Sequence, residues 1–205
     1  NHEDFRGAIW QRYSILLPNW SINPEEGTHT VYVKFKDEAG NISKEVKDDI
    51  ILDKTAPKDC SLKIITKEGI DGMTNNAEKL VDLKIKSEGA RYMMLSNIST
   101  FYDGRWEIYR EDYTDWHLGD GEDSERLVYV KFRDRAGNVS RPVNDKVTYD
   151  SRAPVNGKIA INRGLRYCTS PDVKVSIFAQ DASEVFVYNN EDSTNAKWQP
   201  YKEII

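Results

Sequence analysis

The side chains that could carry out chemistry are few and dispersed. His2, His29 and His117 fall in three different stretches of the 205-residue chain. Histidines that share a zinc ion usually come at short, regular spacings, and these do not. No nucleophilic serine elbow, Gly-rich phosphate loop or cysteine–histidine pairing is present. The 34 acidic residues offer carboxylates for general acid–base work. Most of them fall on the polar positions of alternating stretches or in turns, where water solvates them. A paired-carboxylate glycosidase also needs a concave site, which small all-β units rarely supply. We therefore expect a non-enzyme and assign no catalytic, cofactor-binding or metal-binding residue.

Three features deserve weighing as binding sites. The acidic turn Gly119-Asp120-Gly121-Glu122-Asp123-Ser124-Glu125 has the oxygen-rich composition of calcium loops. The shorter stretch Pro24-Glu25-Glu26-Gly27 lacks its Asp pair, and we read both as solvated turns. Asp53 and Asp150 are further calcium candidates, without clustered carboxylates beside them in sequence. Phe101, Tyr102 and Trp116 are loop aromatics on which a sugar could stack. Cys60 and Cys168 do not fall at equivalent places, so we read both as unpaired and draw no redox conclusion. Asn-x-Ser occurs at Asn19, Asn41, Asn97 and Asn138. We read the asparagines at 41 and 138 as turn formers.

The elements that must position these residues come from a repeat. Val128-Tyr129-Val130-Lys131-Phe132-Arg133-Asp134-Arg135-Ala136-Gly137-Asn138-Val139-Ser140 is echoed by Val31 to Ser43, 97 positions earlier. Between 27–57 and 124–154, 15 of 31 positions are identical without a gap, which points to a tandem array with a domain-sized period. Val128, Val130 and Phe132 alternate with Tyr129, Lys131 and Arg133. This period of two predicts a strand with one dry face and one wet face. Asp-x-Ala-Gly-Asn then closes a turn, since Gly and Asn tolerate positive φ and Asp caps with its carboxylate. A second extended run carries Val143 and Val147, so the unit is a hairpin.

Upstream, Trp10, Tyr13 and Trp20 have the spacing of Trp106, Tyr109 and Trp116, and Trp198 and Tyr201 begin a third copy. Aromatics that recur at fixed places favour structural packing across an open sheet edge. Asp53-Lys54-Thr55-Ala56-Pro57 and Asp150-Ser151-Arg152-Ala153-Pro154 read as short, stiff connectors, because Pro restricts itself and its predecessor. Strands are expected over 61–66, 78–87 and 90–97, with counterparts over 158–162, 172–180 and 183–190. The stretch 69–76 is expected to be a Gly- and Asn-bearing turn. The expected organisation is the back of one unit over 1–53, a whole unit over 54–150 with six or seven strands, and the front of a third over 151–205.

The fold class is thus all-β, as tandem antiparallel β-sandwiches of immunoglobulin-like size joined by Pro-containing linkers. The net charge of −5 lacks the basic stripe that nucleic acid requires. No apolar run is long enough to cross a membrane as a helix. The chain starts at Asn1, and we expect a piece of a longer protein.

With these motifs in place, the chain resembles the Ig-like, fibronectin type III-like repeats of large bacterial cell-surface and secreted proteins. The resemblance rests on Asp-x-x-Ala-Pro, on Trp-x-x-Tyr and above all on Val-Tyr-Val-x-Phe-x-Asp-x-Ala-Gly-Asn-x-Ser. Gly-Asp-Gly is present only at 119–121. It implies a non-enzymatic stalk, adhesin or appendage component, located outside the cell or on its surface. It carries over no functional residues. Expected partners are neighbouring repeats of the same longer chain, with a homo-oligomer, a fibre or a surface glycan as further possibilities. The alternatives are a glycan- or host-surface-binding module and an accessory domain of a secreted hydrolase.

Overall fold

The computed structural model describes residues 5–189, 193–194 and 196–201, and its fold is all-β. The strands in chain order are β1 (Gly27–Val33), β2 (Val46–Leu52), β3 (Lys58–Thr66), β4 (Met73–Thr74) and β5 (Leu80–Glu88). Next come β6 (Tyr92–Ser96), β7 (Glu107–Ile108), β8 (Asp112–His117), β9 (Ser124–Arg133) and β10 (Val143–Tyr149). Last are β11 (Val155–Ile161), β12 (Val175–Gln180), β13 (Glu184–Phe186) and β14 (Trp198–Pro200). Among the described residues the one helical piece is the three-residue turn Asn162–Gly164. Among the described residues no helix is long and apolar enough to cross a membrane. His2, Asn190, Lys202 and Glu203 lie outside the described residues.

Residues 58–149 form two sheets around one core. One sheet runs β3-β5-β8 and the other β4-β10-β9-β6-β7. Leu62, Ile64, Val81, Leu83 and Ile85 from the first face Met93, Leu95, Val128, Val130, Phe132 and Val147 from the second. All are buried because alternation puts every second side chain on the inner face. The hairpin predicted at 124–149 is β9–β10, antiparallel, with Val130 opposite Val143. Its earlier copy β1–β2 has the same register 97 positions back, Val33 opposite Val46.

Two expectations need correction. The stretch 69–76 is more than a turn: within it β4 adds to β10 in parallel, with Met73 beside Thr148. The two-residue strands β4 and β7 bring the strands of this unit to eight rather than six or seven. A two-residue parallel pairing leaves no alternation to read in a sequence.

The outer face of β9 is also not simply wet. Tyr129, Lys131 and Arg133 are half-buried because the segment 97–106 folds back over them. That segment approaches closely. A Cβ on Gly104 would lie 2.8 Å from Met94 Cγ and 3.3 Å from the Leu95 carbonyl, so only glycine fits without displacement. Ser96 Oγ donates to Asp103 Oδ1 at 2.7 Å and fastens the segment at its base.

The flanking regions are smaller sheets, β1-β2, β11-β12 and β13-β14. Several positions that are buried in 58–149 are open there, although Val31 and Val33, the counterparts of Val128 and Val130, are half-buried. Phe132 is 0% exposed and Phe35 48%; Leu62 is 9% exposed and Ile159 67%.

Candidate functional site

The recurrent Asp-x-Ala-Gly-Asn-x-Ser loop is built around one carboxylate. Asp134 Oδ1 accepts the backbone N–H groups of Gly137 and Asn138 at 2.8 and 2.9 Å, and Oδ2 accepts the Asn138 side-chain amide at 2.9 Å. Ser140 Oγ accepts the Phe132 N–H at 3.0 Å and donates to the Arg141 carbonyl. Gly137 has φ 102° with nothing near a built Cβ, so its need is conformational rather than spatial. The earlier loop repeats most of these bonds, except that the Gly40 N–H donates to the Asp37 backbone carbonyl at 3.2 Å rather than to its carboxylate. Asn41 N–H and its side-chain amide both donate to Asp37 at 2.8 Å, Ser43 Oγ accepts from Phe35 N at 3.0 Å, and Gly40 has φ 91°.

Both loop carboxylates are held below the ordinary carboxylate range. For Asp37 the Asn41 side-chain bond is the main cause. For Asp134 burial pushes upward, but the bonds from Asn138 and Gly137 together outweigh it.

The Trp-x-x-Tyr element fastens sheet to sheet. Tyr109 packs edge-on against Phe132, with centroids 5.8 Å apart and planes at 80°. Its hydroxyl accepts the Ser87 N–H at 3.2 Å and lies 3.4 Å from the Ile85 carbonyl. A residue at the rim of one sheet thereby ties to β5 of the other. Burial pushes the Tyr109 phenol up, so it stays protonated and able to donate. Tyr201 repeats the device, accepting the Ala179 N–H at 3.1 Å. Tyr13 packs edge-on against Phe35 at 6.3 Å.

A cation–aromatic buckle recurs beside it. Lys131 sits 4.4 Å over Phe101 and Arg133 4.5 Å over Trp106. Lys34 sits 4.3 Å over Phe5 and Lys36 4.9 Å over Trp10. Phe101 meets Tyr129 edge-on at 6.3 Å, and Phe5 meets Tyr32 at 6.5 Å. These contacts hold the segment preceding each strand onto that strand's outer face. The sequence reading missed the Phe5–Phe101 correspondence. Both lie five residues before the Trp that starts Trp-x-x-Tyr, and that offset was the signal.

The residues weighed for sugar stacking do not share one environment. Phe101 is buried at 7% exposure, and Tyr102 is open at 80%. Trp116 is half-buried, meets Tyr113 at 82°, and donates from Nε1 to Asn97 Oδ1 at 2.8 Å. The calcium candidates are engaged locally. Asp53 Oδ1 accepts the Thr55 N–H and Asp150 Oδ1 the Arg152 N–H, each at 3.0 Å. Asp123 bonds Ser151 and lies 3.0 Å from the Arg152 guanidinium. Among the described residues no three His, Cys, Asp or Glu side chains are grouped as a metal site. His29 Nε2 lies 2.8 Å from the Glu25 carbonyl, and His117 Nδ1 accepts the Gly119 N–H. Cys60 and Cys168 are both free thiols. A cleft of about 360 Å³ lies between β3 and β10, where Asp145 already accepts the Ile64 N–H at 2.8 Å.

No protein-family model and no curated protein matches this chain. The fold and these constellations define an all-β protein whose recurrent polar and aromatic side chains are engaged by its own loops, rims and strands.

Proposed function

We propose that the chain is a non-enzymatic structural segment, made of immunoglobulin-like β-sandwich units joined in series by short Pro-containing connectors. One observation carries this reading: residues 97 apart make the same bonds, and those bonds run to the protein's own backbone. Selection for one architecture repeated, rather than for a ligand pocket, accounts for that coincidence. The open core positions of the flanking regions fit the same picture. In an array, a neighbouring repeat of the longer chain or of another copy supplies the strands that cover Phe35 and Ile159. By resemblance the segment belongs to an extracellular stalk, adhesin or fibre.

A binding module for surface glycans is the second reading, and the exposed Tyr102 ring favours it. Force spectroscopy separates the two. The chain, pulled between inert handles, is expected to give a sawtooth step of ~300 Å, the extended length of one unit less its folded span. A smooth extension without steps would sink the structural reading. Glycan-array capture that Tyr102→Ala abolishes would install the binding reading in its place.

A further inference from the structure

The connector 53–57 is held from both sides, and the connector 150–154 is held in the same way from its preceding side. On the preceding side, Glu26 accepts the Lys54 N–H and the Thr55 hydroxyl, and Lys54 Nζ donates to the Pro24 carbonyl at 2.7 Å. The next connector repeats this 97 positions on. Asp123, the counterpart of Glu26, accepts the Ser151 N–H at 3.1 Å and its hydroxyl at 2.7 Å. Within each connector the leading Asp closes a turn on the residue two ahead. On the following side, the Asn138 side-chain amide donates to the Asp53 carbonyl at 3.1 Å across 85 positions of sequence.

Asn138 suits that place by its chemistry. A side-chain amide has two N–H hydrogens. One goes to Asp134 Oδ2 and the other to the Asp53 carbonyl. Aspartate there would have no donor and would face the Asp134 charge. Glutamine would overshoot by a methylene. Pro57, which ends the connector, is buried against the following unit.

We propose that each Asp-x-x-Ala-Pro connector is a two-sided joint, gripped by an acidic residue of the unit before it and by the loop Asn of the unit after it. The loop motif thus has a second task beyond turning the chain: it is the socket for the incoming connector. The joint is rigid, so units transmit orientation as well as distance. This inference rests on the reading of 1–53 and 54–150 as separate units.

The test is the distance distribution between two spin labels, one on each side of the joint. Asp48→Cys and Lys86→Cys are exposed strand sites, with Cys60→Ser and Cys168→Ser removing the native thiols. The parent is expected to give a narrow distribution. Glu26→Ala touches only the preceding side and leaves the Asp134 loop intact. It is expected to broaden the distribution about twofold, as freely moving domains do, with the melting temperature of the 54–150 unit unchanged. Asn138→Ala should broaden it as well. A parent distribution as broad as that of Glu26→Ala, or one that stays narrow in both variants, overturns the joint. Failure of 54–150 to fold by itself would instead overturn the underlying division into units, so the two failures are distinguishable.

Discussion

Phe132→Ala is expected to destabilise the two sheets of 58–149 by ~3–5 kcal/mol, and Phe35→Ala to cost under ~1 kcal/mol. The two residues occupy the same place in the repeat. Phe132 is fully buried between the sheets with Tyr109 edge-on against it, and its removal leaves a ring-sized cavity that packed neighbours fill only in part. Phe35 is half-exposed, so truncation removes contacts to Tyr13 but opens no cavity. Urea unfolding followed by tryptophan fluorescence reads both values. A loss of ~3 kcal/mol is a large fraction of a small domain's total stability, so the transition of the first variant should move far toward low denaturant. Equal effects would mean that the faces around Phe35 and Phe132 are covered alike.

Asp134→Ala is expected to cost about 1–2 kcal/mol, because it removes the buried carboxylate that accepts the Gly137 and Asn138 N–H groups and the Asn138 amide in a loop that is otherwise open to water. The same bonds predict acid sensitivity. The folded-state pKa of Asp134 lies below its unfolded value, so the folded state binds fewer protons at this site. Its stabilising contribution is therefore present above the unfolded aspartate pKa of about 3.9 and fades as the pH falls through the lower folded value. Melting temperature should hold from neutrality to about pH 5 and drop below about pH 4. Asp134→Asn keeps the shape and is expected to shallow that drop without abolishing it, because Asp82, bonded by Lys67, and Asp123, bonded by Ser151, are depressed as well. An Asp134→Asn profile parallel to that of the parent would remove Asp134 from the acid response.

What could be read from the residues alone was whatever is local and periodic. Val128, Val130 and Phe132 announced an inner face through their alternation, and the copy at Val31, Val33 and Phe35 announced the hairpin twice. Asp-x-Ala-Gly-Asn announced its turn, since carboxylate capping and positive φ are properties of a few consecutive residues. Trp106 and Tyr109 announced a structural role by recurring, although the sheet-to-sheet bond of the Tyr109 hydroxyl was not visible. What escaped was non-local. The pairing of Met73 with Thr148 joins segments 75 positions apart and is only two residues long. The fold-back of 97–106 over Tyr129 and Lys131 depends on Gly104 meeting Met94, two residues with no shared pattern. The bond from Asn138 to Asp53 was hidden because the turn already explained the asparagine. A residue with one sufficient reason conceals a second.

The division of the chain into units is tested most directly by thermal unfolding of residues 54–150 alone, followed by circular dichroism. The expected result is a single cooperative transition with the spectrum of β-structure, its midpoint within about 5 °C of the corresponding transition in the 205-residue chain. A polypeptide that is unfolded by itself, or that melts without cooperativity, would contradict the account.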